Sequence, residues 1–346
     1  MDHSTITGRQ GFFLLFLFFL GNLVTATGAK GMQGGWLLFL LLAGLSLPVL
    51  GLYFKAVGRR STGRVFTEAL GRYAGGILTL LYCALAVLLT GDAIRLFADF
   101  IVINDLNDAG AMGNAALLTV TVTLLLYSNL RSLGKAAWAI QPLTVALLLL
   151  SVCLTVGKME PSRLLPLFAE DCETLVKGGL SSLGAVLSPA LFPIMVLNGA
   201  APGNWRKQAY AAGVSACLLM AVLVLRDVMV LGYPSVSIFR FPGFTAAGVL
   251  RHSEILISAA FVLSQPFRAA LCLRYVQECL TFWKPRWKSW YPPLLIALAA
   301  LNGTFSWSSQ PEQWHTGAEI AVILLLLAGP LAVIAAEKAR SNRAKA

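Results

Sequence analysis

The chain is 346 residues long, 57% hydrophobic and only 12% charged, with a mean hydropathy of +0.74. Soluble domains carry about a quarter charged residues, so this balance excludes an ordinary soluble enzyme or binding module and leaves a polytopic membrane protein. The net charge of +11 does not indicate nucleic acid, because the basic residues are scattered over loops and form no stripe with interleaved aromatics.

Apolar runs of about 20 residues, enough to cross roughly 30 Å of hydrocarbon, recur along the whole length and predict one membrane domain over 1–346. The first run, GFFLLFLFFLGNLVTATGA over 11–29, is too long for the apolar part of a signal peptide, and no small-residue cleavage site followed by a hydrophilic domain comes after it. It reads as a spanning helix interrupted at Gly21-Asn22, with Thr25 and Thr27 beyond. An unpaired backbone group costs several kcal/mol in a bilayer, so such a break survives only where the freed groups meet protein, water or a ligand. Gly21, Asn22 and Thr25 are therefore candidate ligand contacts.

Further spans are predicted at 35–54, 75–103, 113–128, 136–156, 178–199, 208–232, 254–282, 291–305 and 316–336, making ten, with a tail over 337–346. In the third, Asp92, Arg95 and Asp99 stand at i, i+3 and i+7 on one helical face. Two readings of this face stay open: a charged lining beside a substrate cavity, or an ion-pair stripe near the outer end. The sixth span is broken at Ser188-Pro189 and again at Pro193. Two interrupted helices at matching places in the two halves, about 9–157 and 178–336, are the pattern of an inverted-repeat transporter with a mid-membrane site.

Arg226 and Asp227 in the seventh span are adjacent, so they are expected to point to different sides and to pair with other helices or reach the outer headgroups. In the eighth, Gln265-Pro266-Phe267-Arg268 sets a cation beside a proline that frees a backbone carbonyl, deep in an apolar run, and Arg268 is a cavity candidate. Arg274, nearer the inner end, is expected to snorkel to the headgroups. Trp283, Trp287, Trp290 and Tyr291 read as an interfacial belt. The cysteines and histidines form no metal-ligand spacing, and no nucleotide loop, nucleophile elbow or zinc-protease run occurs, so no metal, cofactor or catalytic residue is expected.

Seventeen Lys and Arg residues fall in the loops on the side of both termini and six on the other, which predicts cytoplasmic termini.

Several segments, taken in order, then carry a resemblance: Ile6-Thr7-Gly8-Arg9-Gln10, GRRSTGRVFTEALGRYAGG over 58–76, RLFADFI over 95–101, PSRLLPLF over 161–168, Tyr233-Pro234, and Glu254, Phe261 and Arg268. The chain resembles the endospore germination permeases, the membrane B subunits of GerA-type nutrient germinant receptors, within the amino acid/polyamine/organocation transporter superfamily. The resemblance implies an all-α, five-plus-five inverted repeat with helices 1 and 6 broken about the ligand. It further implies a sensor of small nutrients, often amino acids, in the spore inner membrane, acting with an A subunit and a C-subunit lipoprotein. On that reading, amides after Gly21-Asn22 receive a ligand carboxylate, carbonyls freed at Ser188-Pro189 receive an amine, and Asp92, Arg95 and Arg268 close or gate the cavity. The rival reading is a stand-alone secondary transporter of amino acids or polyamines.

Overall fold

The computed structural model describes residues 6–25, 32–58, 60, 62–103, 110–165, 171–200, 205–239, 241–250, 253–287, 290–305 and 315–343. Among these residues every regular element is a helix: α1 (Gly8–Thr25), α2 (Gly35–Val57), α3 (Val65–Leu70), α4 (Arg72–Ile103), α5 (Gly110–Tyr127), α6 (Leu130–Thr155), α7 (Cys172–Val186), α8 (Leu191–Asn198), α9 (Trp205–Leu231), α10 (Tyr233–Ile238), α11 (Pro242–Gly248), α12 (Glu254–Trp283), α13 (Tyr291–Phe305) and α14 (His315–Arg343), with short 3₁₀ turns between some of them.

Among the described residues, eight stretches are long and apolar enough to cross a bilayer: α2, α4, α5, α6 with its 3₁₀ extension, the run through α7 and α8, α9, α12 and most of α14. The other two predicted spans are the shorter apolar helices α1 and α13. One boundary differs instructively. Helix α6 starts at Leu130, six residues before the predicted 136, and so takes in Arg131 and Lys135. Their long stems let the charges reach the membrane surface from within a helix, so a basic pair does not by itself end a span.

The two interrupted segments are the innermost. Leu14 through Leu20 and Leu23 of α1, and Leu191 through Leu197 of α8, are all buried. A helix apolar on every side is stable only when other helices surround it. Helix α1 packs against α9, α12 and α6, and α8 against α12 and α2. In the run through α7 and α8, 78% of the apolar window is buried, against at most 61% in the other spanning stretches. The outer helices instead turn residues such as Leu41, Ile77, Leu124 and Leu149 outward, where lipid covers them.

The sixth span breaks where expected. Between α7 and α8 the chain tightens into a 3₁₀ turn over Ser188–Ala190, because Pro189 has no amide to continue the α-helical ladder. The buried hydroxyl of Tyr53, from α2, donates to the Ser188 carbonyl at 3.1 Å. The Ser188 carbonyl, expected as a ligand contact, thus has a donor within the protein. The first span also departs from expectation. Helix α1 is continuous through Gly21 and Asn22 and ends at Thr25. A glycine inside a helix costs only about 1 kcal/mol relative to alanine, which the packing around α1 offsets. Thr27 and the rest of 26–31 lie outside the described residues.

Tyr53→Phe leaves the buried Ser188 carbonyl without its donor, which costs about 1–3 kcal/mol. The expected result is a lower melting temperature in detergent with unchanged membrane abundance. An unchanged melting temperature would mean that packing alone holds the break.

Candidate functional site

The glycine of α1 meets a buried charge of α12 at one seam. Gly21 sits on α1 where α12 passes closest: a Cβ built on it would stand 3.1 Å from Arg268 Cβ, 3.5 Å from the Ser264 carbonyl and 3.6 Å from Arg268 Cδ. Only glycine lets the arginine stem lie against the backbone at this point. Gln265 Nε2 donates to the Gly21 carbonyl at 3.1 Å, fastening the two helices, while Gln265 Oε1 is buried with no donor among the described residues. Asn22 is 1% exposed and Arg268 is 5% exposed. Pro266 lies within α12 and removes the amide that would bond the carbonyl four residues earlier. Across the seam, Asp92 of α4 is near enough to act electrostatically on the Arg268 guanidinium.

The expected site residues therefore divide. Gly21 and Arg268 meet at the seam and Asn22 is buried beside Gly21, whereas Asp92 is exposed on α4 and acts on Arg268 only electrostatically. The backbone of Thr25 closes α1, and its side chain lies outside the described residues. Arg95 pairs with Asp99 at 3.7 Å on its own helix, the ion-pair reading of that face. Ser188 and Pro189 are fully buried in the break, held by Tyr53. The amides just after Gly21-Asn22 lie within α1, whose ladder takes them up, so they do not open toward a ligand carboxylate as expected.

Beside the seam lies a cavity of about 50 Å³, large enough for a few water molecules. Leu20, next to Gly21, forms part of its wall together with Leu148, Met220, Ile257 and a group of phenylalanines. Phe100 is the centre of that group, stacked on Phe261 with centroids 4.2 Å apart and edge-on to Phe241 at 5.0 Å and Phe244 at 5.8 Å. Phe261 precedes Arg268 by seven residues, roughly 10 Å along α12. The aromatic group thus joins α4, α11 and α12 just outside the charged seam.

Arg226 and Asp227 form the polar part of the same wall and correct their expected divergence. The arginine folds back along the helix, and its Nε donates to Asp227 Oδ1 at 2.8 Å. Nη1 donates to Ser151 Oγ of α6 and Nη2 to the Gly243 carbonyl of α11, each at 2.9 Å. Both charges are buried, at 1% and 2% exposure. A three-methylene stem spans the angle between adjacent positions, which side-chain direction alone does not reveal. Gly232, with φ of +77°, turns the chain off α9, and α10 and α11 follow it. Helix α11 packs on both α9 and α12 as a cap on the cavity.

The inner end is tied by a second set. Thr62 Oγ1 lies 2.5 Å from Glu278 Oε2 of α12 and 3.1 Å from the Met195 carbonyl of α8. Arg274 was expected to snorkel. Instead its Nη1 donates to the Leu126 and Ser128 carbonyls at the end of α5, at 3.1 and 3.3 Å, since unsatisfied helix-end carbonyls lie within its reach. Trp283 and Trp290 are exposed at this end, as an interfacial belt requires.

Comparison with known families decides the identity. A family model described as "Spore germination protein" matches residues 5–261, most of the chain. The chain belongs to the spore germination permease family. Among solved structures, this permease is similar to MhsT in a crystal structure in complex with L-phenylalanine, at a TM-score of 0.70 and 16% identity, covering 95% of this chain and 89% of that one. That likeness gives the permease the LeuT-type fold, and its long apolar helices together with the family make it an integral, multi-pass membrane protein. No curated protein sequence matches it.

Removing one partner of a buried ion pair leaves an uncompensated charge and costs about 3–5 kcal/mol, whereas replacing both with apolar residues is far milder. Arg226→Ala is expected to melt well below the parent permease, and the Arg226→Met/Asp227→Leu double variant to recover most of the loss. Equal melting temperatures for Arg226→Ala and the parent would show that the pair does not hold α11 down.

Proposed function

We propose that this permease is the membrane subunit of a nutrient germinant receptor in the spore inner membrane, and that it binds a small nutrient of the amino acid class at the seam between α1 and α12. The observation that carries the reading is Arg268, a buried cation resting on Gly21, subject to the charge of Asp92 and three residues after Gln265, whose Oε1 is a buried acceptor. A zwitterion matches this set, with its carboxylate on Arg268 and its amine toward Gln265 Oε1 and Asp92. The solved relative of the same fold holds L-phenylalanine, which supports the same ligand class here.

In this reading the chain has ten spans in two inverted repeats, about 9–157 and 178–336, which pair α1 with the broken run of α7 and α8. Both termini face the cytoplasm. Ligand binding biases the balance between outward-closed and inward-closed arrangements, and an A subunit and a C-subunit lipoprotein read the bias. The transporter fold itself favours a second reading, a stand-alone carrier of amino acids or polyamines, because receptor and carrier share the physics of the site. Uptake by proteoliposomes holding only this chain would establish the carrier.

Two predictions test the proposal. A ligand that binds only the folded state raises stability by about 2.7 kcal/mol at a hundred times its Kd. In a thermal-shift screen, at least one L-amino acid is expected to raise the melting temperature saturably, and Gly21→Leu to abolish that rise while still inserting and accumulating. A full response in Gly21→Leu would move the site away from the seam. For orientation, reporter fusions after Ala346 and within 105–108 are expected on opposite faces of the membrane, and finding them on one face would overturn the ten-span arrangement.

A further inference from the structure

The inner tie holds one hydrogen too few for a carboxylate. Thr62 Oγ1, in a residue 6% exposed, stands 2.5 Å from Glu278 Oε2 and 3.1 Å from the Met195 carbonyl, so two oxygens lie within hydrogen-bond distance of one hydroxyl. A hydroxyl donates once. The Met195 carbonyl needs that donation, because it is one of the last four of α8, which the helix ladder does not reach, and its residue is fully buried. Were Glu278 a carboxylate, it would take the Thr62 hydrogen and leave the carbonyl without it. No cation closes the gap. Arg274 Nε, 3.9 Å from Glu278 Oε1, makes no hydrogen bond among the described residues, and Nη1 of the same side chain is taken by the Leu126 and Ser128 carbonyls and by Gln277 Oε1. The other groups around the carboxyl leave the count unchanged. On the chain that carries Thr62, Arg60 pairs with Glu68 and Glu337, and Arg64 lies over the Phe282 ring, 5.3 Å from its centroid. From α4, Tyr82 and Cys83 face Tyr275 and Cys279 of α12. Helices α5 and α8 carry no acidic or basic residue, and the Tyr291 hydroxyl of α13 donates to the Lys284 carbonyl. Around this end Arg9 of α1, Arg131 and Lys135 of α6, and Lys284 and Arg286 after α12 are exposed.

We infer that Glu278 is a proton-binding site, neutral in this arrangement, whose O–H donates to Thr62 Oγ1 while the Thr62 hydroxyl donates to the Met195 carbonyl. Each oxygen that needs a donor then has one, and hydrogen bonds in series strengthen one another. The Glu278 side chain is 33% exposed, so its proton exchanges with water at this end. When the proton leaves to that water, the Thr62 hydroxyl turns to the carboxylate and the Met195 carbonyl loses its donor. Helix α12 then keeps its hold on the turn at Thr62–Arg64, while α8 is released from it. A proton thus closes the inner tie between α8 and α12, whether or not the seam at Gly21 is the ligand site.

Two measurements on the purified full-length chain test the site. Infrared spectra at neutral pH are expected to show the C=O stretch of a protonated carboxyl in the wild type that is missing from Glu278→Gln. A difference spectrum that shows a carboxylate in its place overturns the inference. In thermal unfolding, a proton held by the folded chain but released by the unfolded one above the ordinary glutamate value of about 4.3 makes stability fall as pH rises, by up to about tenfold in the folding equilibrium per unit of pH. Glu278→Gln keeps an N–H donor toward Thr62 at every pH. Its melting temperature is therefore expected to gain on that of the wild type as the buffer goes from about pH 5 to about pH 8. A difference that stays constant, or moves the other way, overturns the inference. If Glu278→Gln does not accumulate, Thr62→Val takes its place: without the hydroxyl the acid has no acceptor, and the decline of melting temperature with pH is expected to flatten relative to the wild type. A decline as steep as in the wild type rejects the site.

Discussion

A guanidinium held in the middle of a membrane protein at 5% exposure constrains everything around it. Arg268 cannot shed its charge, so the fold must supply compensation within its reach. The compensation has three identifiable parts. Gly21 admits the stem against the backbone of α1. Asp92 of α4 acts on the charge from across the seam. Gln265, one turn earlier on α12, bonds the Gly21 carbonyl and fixes the two helices in register. A larger residue at 21 would push the stem aside, and the spacing of α1 and α12 would change with it. The charge explains the glycine, and the glycine explains why a deeply buried helix carries a small residue in an otherwise bulky apolar run.

Above and below this seam the protein is tied by chemically different contacts. On the outer side, stacked and edge-on phenylalanines join α4, α11 and α12, backed by the Arg226–Asp227 pair that links α6, α9 and α11. On the inner side, Thr62 joins Glu278 of α12 to the Met195 carbonyl of α8. Aromatic contacts are worth about 0.5–1.5 kcal/mol each and slide at modest cost, whereas a buried ion pair resists separation because each charge would be left unpaired. The outer cap therefore has one compliant fastening and one stiff one, and α11 hinges most readily about the stiff one. Motion of that kind changes the cavity beside Leu20 without dismantling the ionic network.

Much of this was legible in the sequence, for reasons that particular residues make plain. Apolar run length located the spans, since hydrocarbon thickness sets a length that no local propensity alters. Pro189 marked the sixth break because a missing amide acts in any context, and Arg268 stood out because charge deep in an apolar run is costly. Gly21 differs from its expected local role: it permits close approach between helices and leaves α1 intact, and a sequence does not distinguish a glycine that bends from one that packs. The Arg226–Asp227 fold-back, the Tyr53 bond to Ser188 and the Phe100 cluster depend on partners brought from 17 to 161 residues away or on a side-chain rotamer, and period and spacing carry neither. Glu278 carried a local signal, four residues after Arg274, that its position near the inner headgroups made easy to pass over.

The distribution of strong and weak ties bears on whether such a scaffold reports a ligand or carries it. A carrier must open each end in every cycle, and each buried polar tie it breaks adds to the barrier, tenfold in rate for about 1.4 kcal/mol. A receptor needs only a shift in population, and a ligand with tenfold better affinity for one arrangement supplies that with the same 1.4 kcal/mol and no complete passage. Here the buried ion pair on the outer side and the Thr62–Glu278 contact on the inner side both oppose full opening. Small rearrangements of α11 and of the aromatic group oppose it far less. The energetic grain of the fold thus runs toward modest motion around a fixed charge.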